Sequence, residues 1–80
     1  MAITIEVTAE DIVNGQRSRC YHDPIALAAS RALGVRTFTG VLHIHAVDGR
    51  SSWLLPRIAT KFILDFDVGK PVKPFSFTIE

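Results

Sequence analysis

Cys20-Tyr21-His22 and His43-Ile44-His45 are the residues of this chain best suited to chemistry. They supply three imidazoles and one thiol, which are ligands that zinc favours. Two histidines two apart on a strand point to the same side. The spacing argues against a native metal site, because Cys20 and His22 are too close for the common knuckle and no second cysteine exists. The expectation is a half-buried or solvent-facing histidine pair with no metal and no cofactor. Cys20 with a histidine base is also the minimal set for covalent catalysis. No third orienting group or oxyanion hole accompanies it, and a lone cysteine more often fills a small apolar space. Asp65 and Asp67 are paired in sequence only, since residues two apart on a helix point about 200° away from each other. No glycine-rich run precedes a helix with Lys-Ser or Lys-Thr, which excludes a phosphate loop. No catalytic residue is assigned, and an enzyme is not expected.

Binding residues stand out more clearly. Trp53 follows Arg50-Ser51-Ser52, and Trp and Arg dominate interface hot spots. The competing reading is that Trp53 covers the end of the core. Tyr21 lies beside Arg17 and Arg19 in a polar stretch, where aromatic and guanidinium groups can stack on bases or dock into a protein groove. With Arg36 from the arginine-rich middle, the candidate contact set is Arg17, Arg19, Tyr21, Arg36, Arg50 and Trp53.

The net charge is +1, from nine Lys and Arg against eight Asp and Glu. That balance argues against an acidic mimic of nucleic acid and against a strongly basic binder of it. The distribution is uneven. Residues 1–13 carry Glu6, Glu10 and Asp11 with no base, a net −3. Residues 14–61 carry Arg17, Arg19, Arg31, Arg36, Arg50, Arg57 and Lys61 against Asp23 and Asp48, a net +5. Arginine forks onto carboxylates and phosphates in a way lysine does not. Either a solvated surface with local ion pairs or an arginine-rich contact face follows from this.

These residues must be positioned by one small domain. Eighty residues leave no room for a second, so residues 1–80 are read as a single globular unit. Apolar residues make up 48% of the chain and charged residues 21%, ordinary globular usage. No apolar run approaches the ~20 residues needed to span a bilayer. The first residues lack the pattern of a secretory signal. A single cysteine forbids an intrachain disulfide and fits a reducing cytoplasm.

Ile3, Ile5 and Val7 alternate with polar residues, which predicts a half-buried strand. Thr8-Ala9-Glu10-Asp11 reads as a capping box before a short helical turn over residues 9–13, ended by Asn14-Gly15. Asp23 and Pro24 start the clearest helix, which runs to Leu33 with Gly34 as its left-handed cap. Its predicted apolar stripe is Ile25, Ala28, Ala29, Ala32 and Leu33. Short strands are expected over residues 35–38, 41–47 and 50–53, with Leu42, Ile44 and Ala46 facing one way and His43 and His45 the other. Residues 55–68 read as the second main helix, burying Leu55, Ile58, Ala59, Phe62, Ile63 and Phe66. Phe75, Phe77 and Ile79 mark a final strand. The expected fold is α+β: one mainly antiparallel sheet of four or five strands with two main helices on one face. The first and last strands lie near each other at its centre.

Two stretches carry a resemblance. One is Ile3-Thr4-Ile5-Glu6-Val7-Thr8-Ala9-Glu10-Asp11-Ile12, then Gly15, Cys20, Pro24-Ile25-Ala26-Leu27-Ala28 and Arg31-Ala32-Leu33-Gly34. The other runs from Phe62 to Phe77, through Phe66-Asp67, Gly69, Pro71-Val72 and Pro74-Phe75. Together they cover a little over half the chain and resemble short bacteriophage and prophage proteins, mostly of unknown function. Members often carry Cys-x-x-Cys before the proline, where this chain has Cys20-Tyr21-His22-Asp23. In size and origin, though not in motif, the chain resembles the anti-CRISPR inhibitors of host defence. That resemblance implies a cytoplasmic binder that docks on a Cascade-like CRISPR–Cas surveillance complex and blocks target DNA. The chain is expected to be a monomer or a weak homodimer, since a short edge strand such as Val35–Phe38 can pair with its twin. Its arginines would meet acidic protein or guide-RNA phosphate. The alternative is a small nucleic-acid-binding phage regulator.

Overall fold

A computed structural model describes residues 2–80. The alternating segment forms strand β1 (Ile3–Val7), with Ile5 and Val7 fully buried. Thr8 then caps helix α1 (Ala9–Asn14): its hydroxyl accepts the Asp11 N–H at 3.1 Å, and the Asp11 carboxylate accepts the Thr8 N–H at 2.9 Å. This is the capping box read from the sequence. Asp11 also receives both guanidinium nitrogens of Arg31, at 2.9 and 2.7 Å, and Arg31 reaches the Glu6 carbonyl at 3.0 Å. One arginine thus ties β1 and α1 to helix α2 (Pro24–Leu33).

Asp23 caps α2, its carboxylate accepting the Ala26 N–H at 2.7 Å. Gly34 closes the helix at φ 71°, a left-handed position that glycine adopts without strain. Ile25, Ala28 and Ala29 are buried as the stripe requires, but Ala32, in the last turn, is exposed.

Strands β2 (Thr37–Thr39), β3 (His43–Ala46) and β4 (Ser52–Leu54) form an antiparallel meander in the order β2-β3-β4. Helix α3 (Arg57–Asp67) and strand β5 (Phe75–Ile79) complete the chain. β5 pairs antiparallel with β1, from Ile3 opposite Ile79 to Val7 opposite Phe75. The fold is α+β, with a correction to the expected sheet: the strands make two separate sheets, one of two strands and one of three. The first and last strands pair with each other, as expected, but outside the meander.

The core gathers Ile5, Ile25, Ile44, Phe62, Phe66 and Phe77 with their smaller neighbours, so both sheets and the two longer helices contribute. Two apolar positions depart from prediction. Leu42 is exposed because β3 starts only at His43, after the Gly40–Leu42 connection. Ile58 is exposed because Pro56 is the N-cap, which leaves Ile58 in the first turn at the margin of the buried stripe of Ala59, Phe62 and Phe66. Among the described residues, no helix is long and apolar enough to cross a membrane.

Candidate functional site

The meander has an inner and an outer face, and its alternation decides which side chains reach each. Thr37, Thr39, Ile44 and Ala46 are buried. Phe38, His43 and His45 point the other way and are half-buried. Hydroxyls stitch β2 to α2. The Thr37 hydroxyl donates to the Ala26 carbonyl at 3.1 Å, and the Thr37 N–H donates to the Ser30 hydroxyl at 3.0 Å. Thr39 donates to the Asp23 carboxylate. With its inner side so fastened, β2 presents Phe38 outward.

The register then assembles a row of rings. Phe38 and His45 are direct cross-strand partners, and their centroids lie 5.0 Å apart with planes 22° from parallel. That separation follows from the ~4.8 Å spacing of neighbouring strands. His43, two residues from His45 on β3, lies 5.7 Å from it. Tyr21 extends the row from the loop before α2, 5.1 Å from Phe38. The Arg36 guanidinium carbon sits 5.6 Å from the Tyr21 ring centre, within cation–π range.

The loop that delivers Tyr21 is held at both ends. The Thr39 N–H donates to the Cys20 carbonyl at 2.9 Å, and the Ser18 N–H donates to Asp67 at 2.9 Å. Ser18 adopts φ 57°, an uncommon left-handed value for a side-chain-bearing residue. The Thr37 and Thr39 N–H groups are therefore both occupied on the outer edge of β2. Ser30 and Cys20 thus take two of the N–H groups along this edge.

Two open cavities flank the row. Arg19, Tyr21, His22 and Arg36 line one of about 360 Å³. Phe38, His45, Arg50, Ser51 and Ser52 line another of about 290 Å³. Arg19, Arg36 and Arg50 are exposed. Asp48, in the β3–β4 turn, accepts the Arg50 N–H at 2.9 Å. A third cavity, between α3 and the Gly40–Leu42 connection, contains Asp23 and Asp67, whose carboxylates are already bonded within the fold.

Of the six candidate contact residues, the structure brings Tyr21 and Arg36 into contact, places Arg19 beside them, and sets Arg50 next to the Phe38–His45 pair. The other two lie elsewhere. Trp53 pairs with Ile44 on the inner side and packs against the core. The Arg17 guanidinium lies over Gly69, just beyond α3, within 3.3–3.4 Å of where a Cβ would stand. A cation there complements the partial negative charge at a helix C-terminus. Sequence reasoning put His43 and His45 on one face of a strand but did not bring Phe38 to that surface. Their outward phase on adjacent short strands was the available signal.

Cys20 is exposed. Among the described residues, no group of three His, Cys, Asp or Glu side chains is placed to hold a metal ion. Asp65 pairs with Lys61 at 2.8 Å, and that lysine holds its carboxyl below the usual range. No protein-family model, curated protein or solved structure matches the chain.

Proposed function

We propose that this protein is a binding module for single-stranded nucleic acid, with no catalytic role, and that the outer face of the β2-β3-β4 sheet receives the strand. The observation that carries this reading is the continuous row Tyr21–Phe38–His45–His43 with a guanidinium over its first ring. Aromatic rings and arginines on a sheet face can stack on bases of any sequence. Arginines beside the rings supply phosphate contacts with forked geometry. Arg19, Arg36 and Arg50 line the two cavities beside the row and supply the positive charge there.

Fluorescence anisotropy of labelled oligothymidylate and oligouridylate tests it. Binding at low salt is expected, with the logarithm of affinity falling linearly against the logarithm of salt at about −0.7 per phosphate contact. Phe38→Ala should weaken binding about tenfold, within the range for one lost stacking partner. No binding of either oligomer at low salt overturns the proposal. In that case, stoichiometric co-purification of surveillance-complex subunits from a nuclease-treated lysate would favour the docking function that the phage resemblance implies.

A further inference from the structure

Strand β4 ends its sheet, so one of its edges has no neighbouring strand. Its ladder to β3 uses every second residue. The Leu55 N–H donates to the Leu42 carbonyl at 2.7 Å, the Ala46 N–H donates to the Ser51 carbonyl at 2.9 Å, and Trp53 stands between them opposite Ile44. The alternation of an antiparallel pair therefore turns the N–H and C=O of Ser52 and Leu54 away from β3, toward the free edge. Among the described residues, no group of the fold bonds to them. On β2, the other edge strand, the Thr37 and Thr39 N–H groups are taken by Ser30 and Cys20.

The side chains of β4 suit an edge that pairs. Leu54 is 63% exposed, and Trp53 keeps part of its ring in water. Unpaired backbone groups beside exposed apolar side chains are a template for another strand. The strands of the other sheet are better protected, since β1 and β5 turn Thr4, Glu6, Ser76 and Thr78 to solvent. A twofold contact sets like residues close together, so a charged edge repels its own copy. Ser52, Trp53 and Leu54 carry no charge, and the nearest charged residues, Arg50 and Arg57, lie outside the strand.

We infer that two copies of this chain associate through β4, antiparallel and centred on Trp53, which joins the two three-stranded sheets into one. In that register Ser52 stands opposite Leu54 of the second copy, and the two residues exchange both N–H···O=C bonds. Every free group of both β4 strands is then answered. The two Trp53 residues face each other as the closer, non-hydrogen-bonded pair. The two Leu54 side chains become diagonal neighbours on the outer face, at ~7–8 Å. Ser52 pairs with His45 and shares its outer face, so the ring rows of both copies lie on the same side of the joined sheet.

Sedimentation velocity over a concentration series tests this, with reductant present because Cys20 is exposed. A monomer–dimer equilibrium is expected. Trp53 is the single tryptophan, so its emission should shift to the blue in step with the dimer fraction. Amide exchange of Ser52 and Leu54 should slow with rising concentration, while that of Trp53, already bonded to β3, stays constant. Leu54→Lys sets two like charges across the dyad and should weaken association at least about tenfold. Ser52→Pro removes an N–H that β3 does not use and should weaken it as well. A thermal melt checks that each variant is folded. The inference is overturned if the wild type is monomeric at about 1 mM, which leaves the edge to an extended segment of another protein. It is also overturned if the chain dimerises with Trp53 emission unmoved and both folded variants unimpaired. Neither result depends on nucleic acid, so the single-strand reading stands or falls separately.

Discussion

The hydroxyl of Thr39 donates to the same Asp23 carboxylate that caps α2, and the next residue back, Phe38, faces the opposite side of β2. A helix cap and a surface ring are thus fixed by one short strand. Asp23 is almost fully buried, and both its oxygens are engaged. The cap holds the start of α2, the start of α2 holds β2, and β2 aims Phe38 at His45. Stability and the candidate site are coupled at this point.

Replacing Asp23 by Ala should therefore lower stability and weaken strand binding together. It removes the cap and leaves the Thr39 hydroxyl without a partner in a buried setting, a loss of about 2–3 kcal/mol. At about 4–8 °C per kcal/mol for a domain of this size, the melting midpoint should fall by more than 8 °C. Calorimetry checks the stability, and anisotropy below the new midpoint checks the binding. Asp23→Asn keeps an acceptor for Thr39 and should recover part of both.

The two buried carboxylates pull stability in opposite directions with pH. The Arg31 guanidinium, helped by Thr8, holds the Asp11 carboxyl below its ordinary 3.8. Its contribution is complete above that value and is lost as pH falls through the folded-state value, because the unfolded chain then binds the extra proton. Burial pushes the Asp23 carboxyl above 3.8, outweighing its bonds to Thr39 and Ala26. The folded chain there binds the extra proton, so this group adds stability as pH falls toward 3.8. Urea melts between pH 3 and 7 should show Asp11→Asn losing the fall below about pH 4. Asp23→Asn should lose the opposing rise above it. An acid limb unchanged in Asp11→Asn would mean that the pair with Arg31 is too well solvated to matter.

The caps and the β1–β5 pair were legible because each rests on local chemistry. Thr8, Asp23 and Gly34 announce themselves by type and spacing, and the two clean alternations need one partner each. The split into two sheets was not legible, since no residue in β2 or β4 states which edge it joins. The site depends on that missing information. Phe38 meets His45 only through the register that the Gly40–Leu42 connection imposes. Trp53 turns inward because the residues between Ala46 and Ser52 set the phase of β4. Arg17 leaves the contact set because the end of α3 passes beneath it, a tertiary fact that no local pattern carries.

Trp53 and Phe38 sit on opposite faces of one sheet, so their removal should separate stability from binding. Trp53→Ala should cost about 2 kcal/mol, less than the ~3–5 typical of a fully buried aromatic because Trp53 is half-exposed. Strand affinity of the folded variant should stay within twofold of wild type. Phe38→Ala should do the reverse, lowering affinity about tenfold with a smaller change in melting midpoint. Denaturant titration and anisotropy on the two variants give all four numbers. A larger binding loss from Trp53→Ala than from Phe38→Ala would move the interface to the other side of the sheet.

Gly40 offers the finest probe of the row. Its φ is not in the left-handed region, unlike that of Gly34, Gly49 and Gly69, so its backbone accepts alanine. A Cβ there would stand 3.3 Å from His45 Nε2, close enough that the imidazole must shift by a few tenths of an ångström. Of the groups around Gly40, the His45 ring is thus the one an added methyl would meet first. In Gly40→Ala, the reduced freedom of the unfolded chain gains about 0.4–1 kcal/mol. Crowding against the end of a movable side chain offsets part of that gain. The melting midpoint should stay within a few degrees of wild type, while the His45 ring proton resonances move and strand affinity falls severalfold. Gly34→Ala is the contrast: at φ 71° and with open space around it, it should cost about 1 kcal/mol and leave binding alone. If Gly40→Ala leaves both the His45 resonances and the affinity unchanged, the imidazole does not sit over Gly40 and the row does not extend past Phe38.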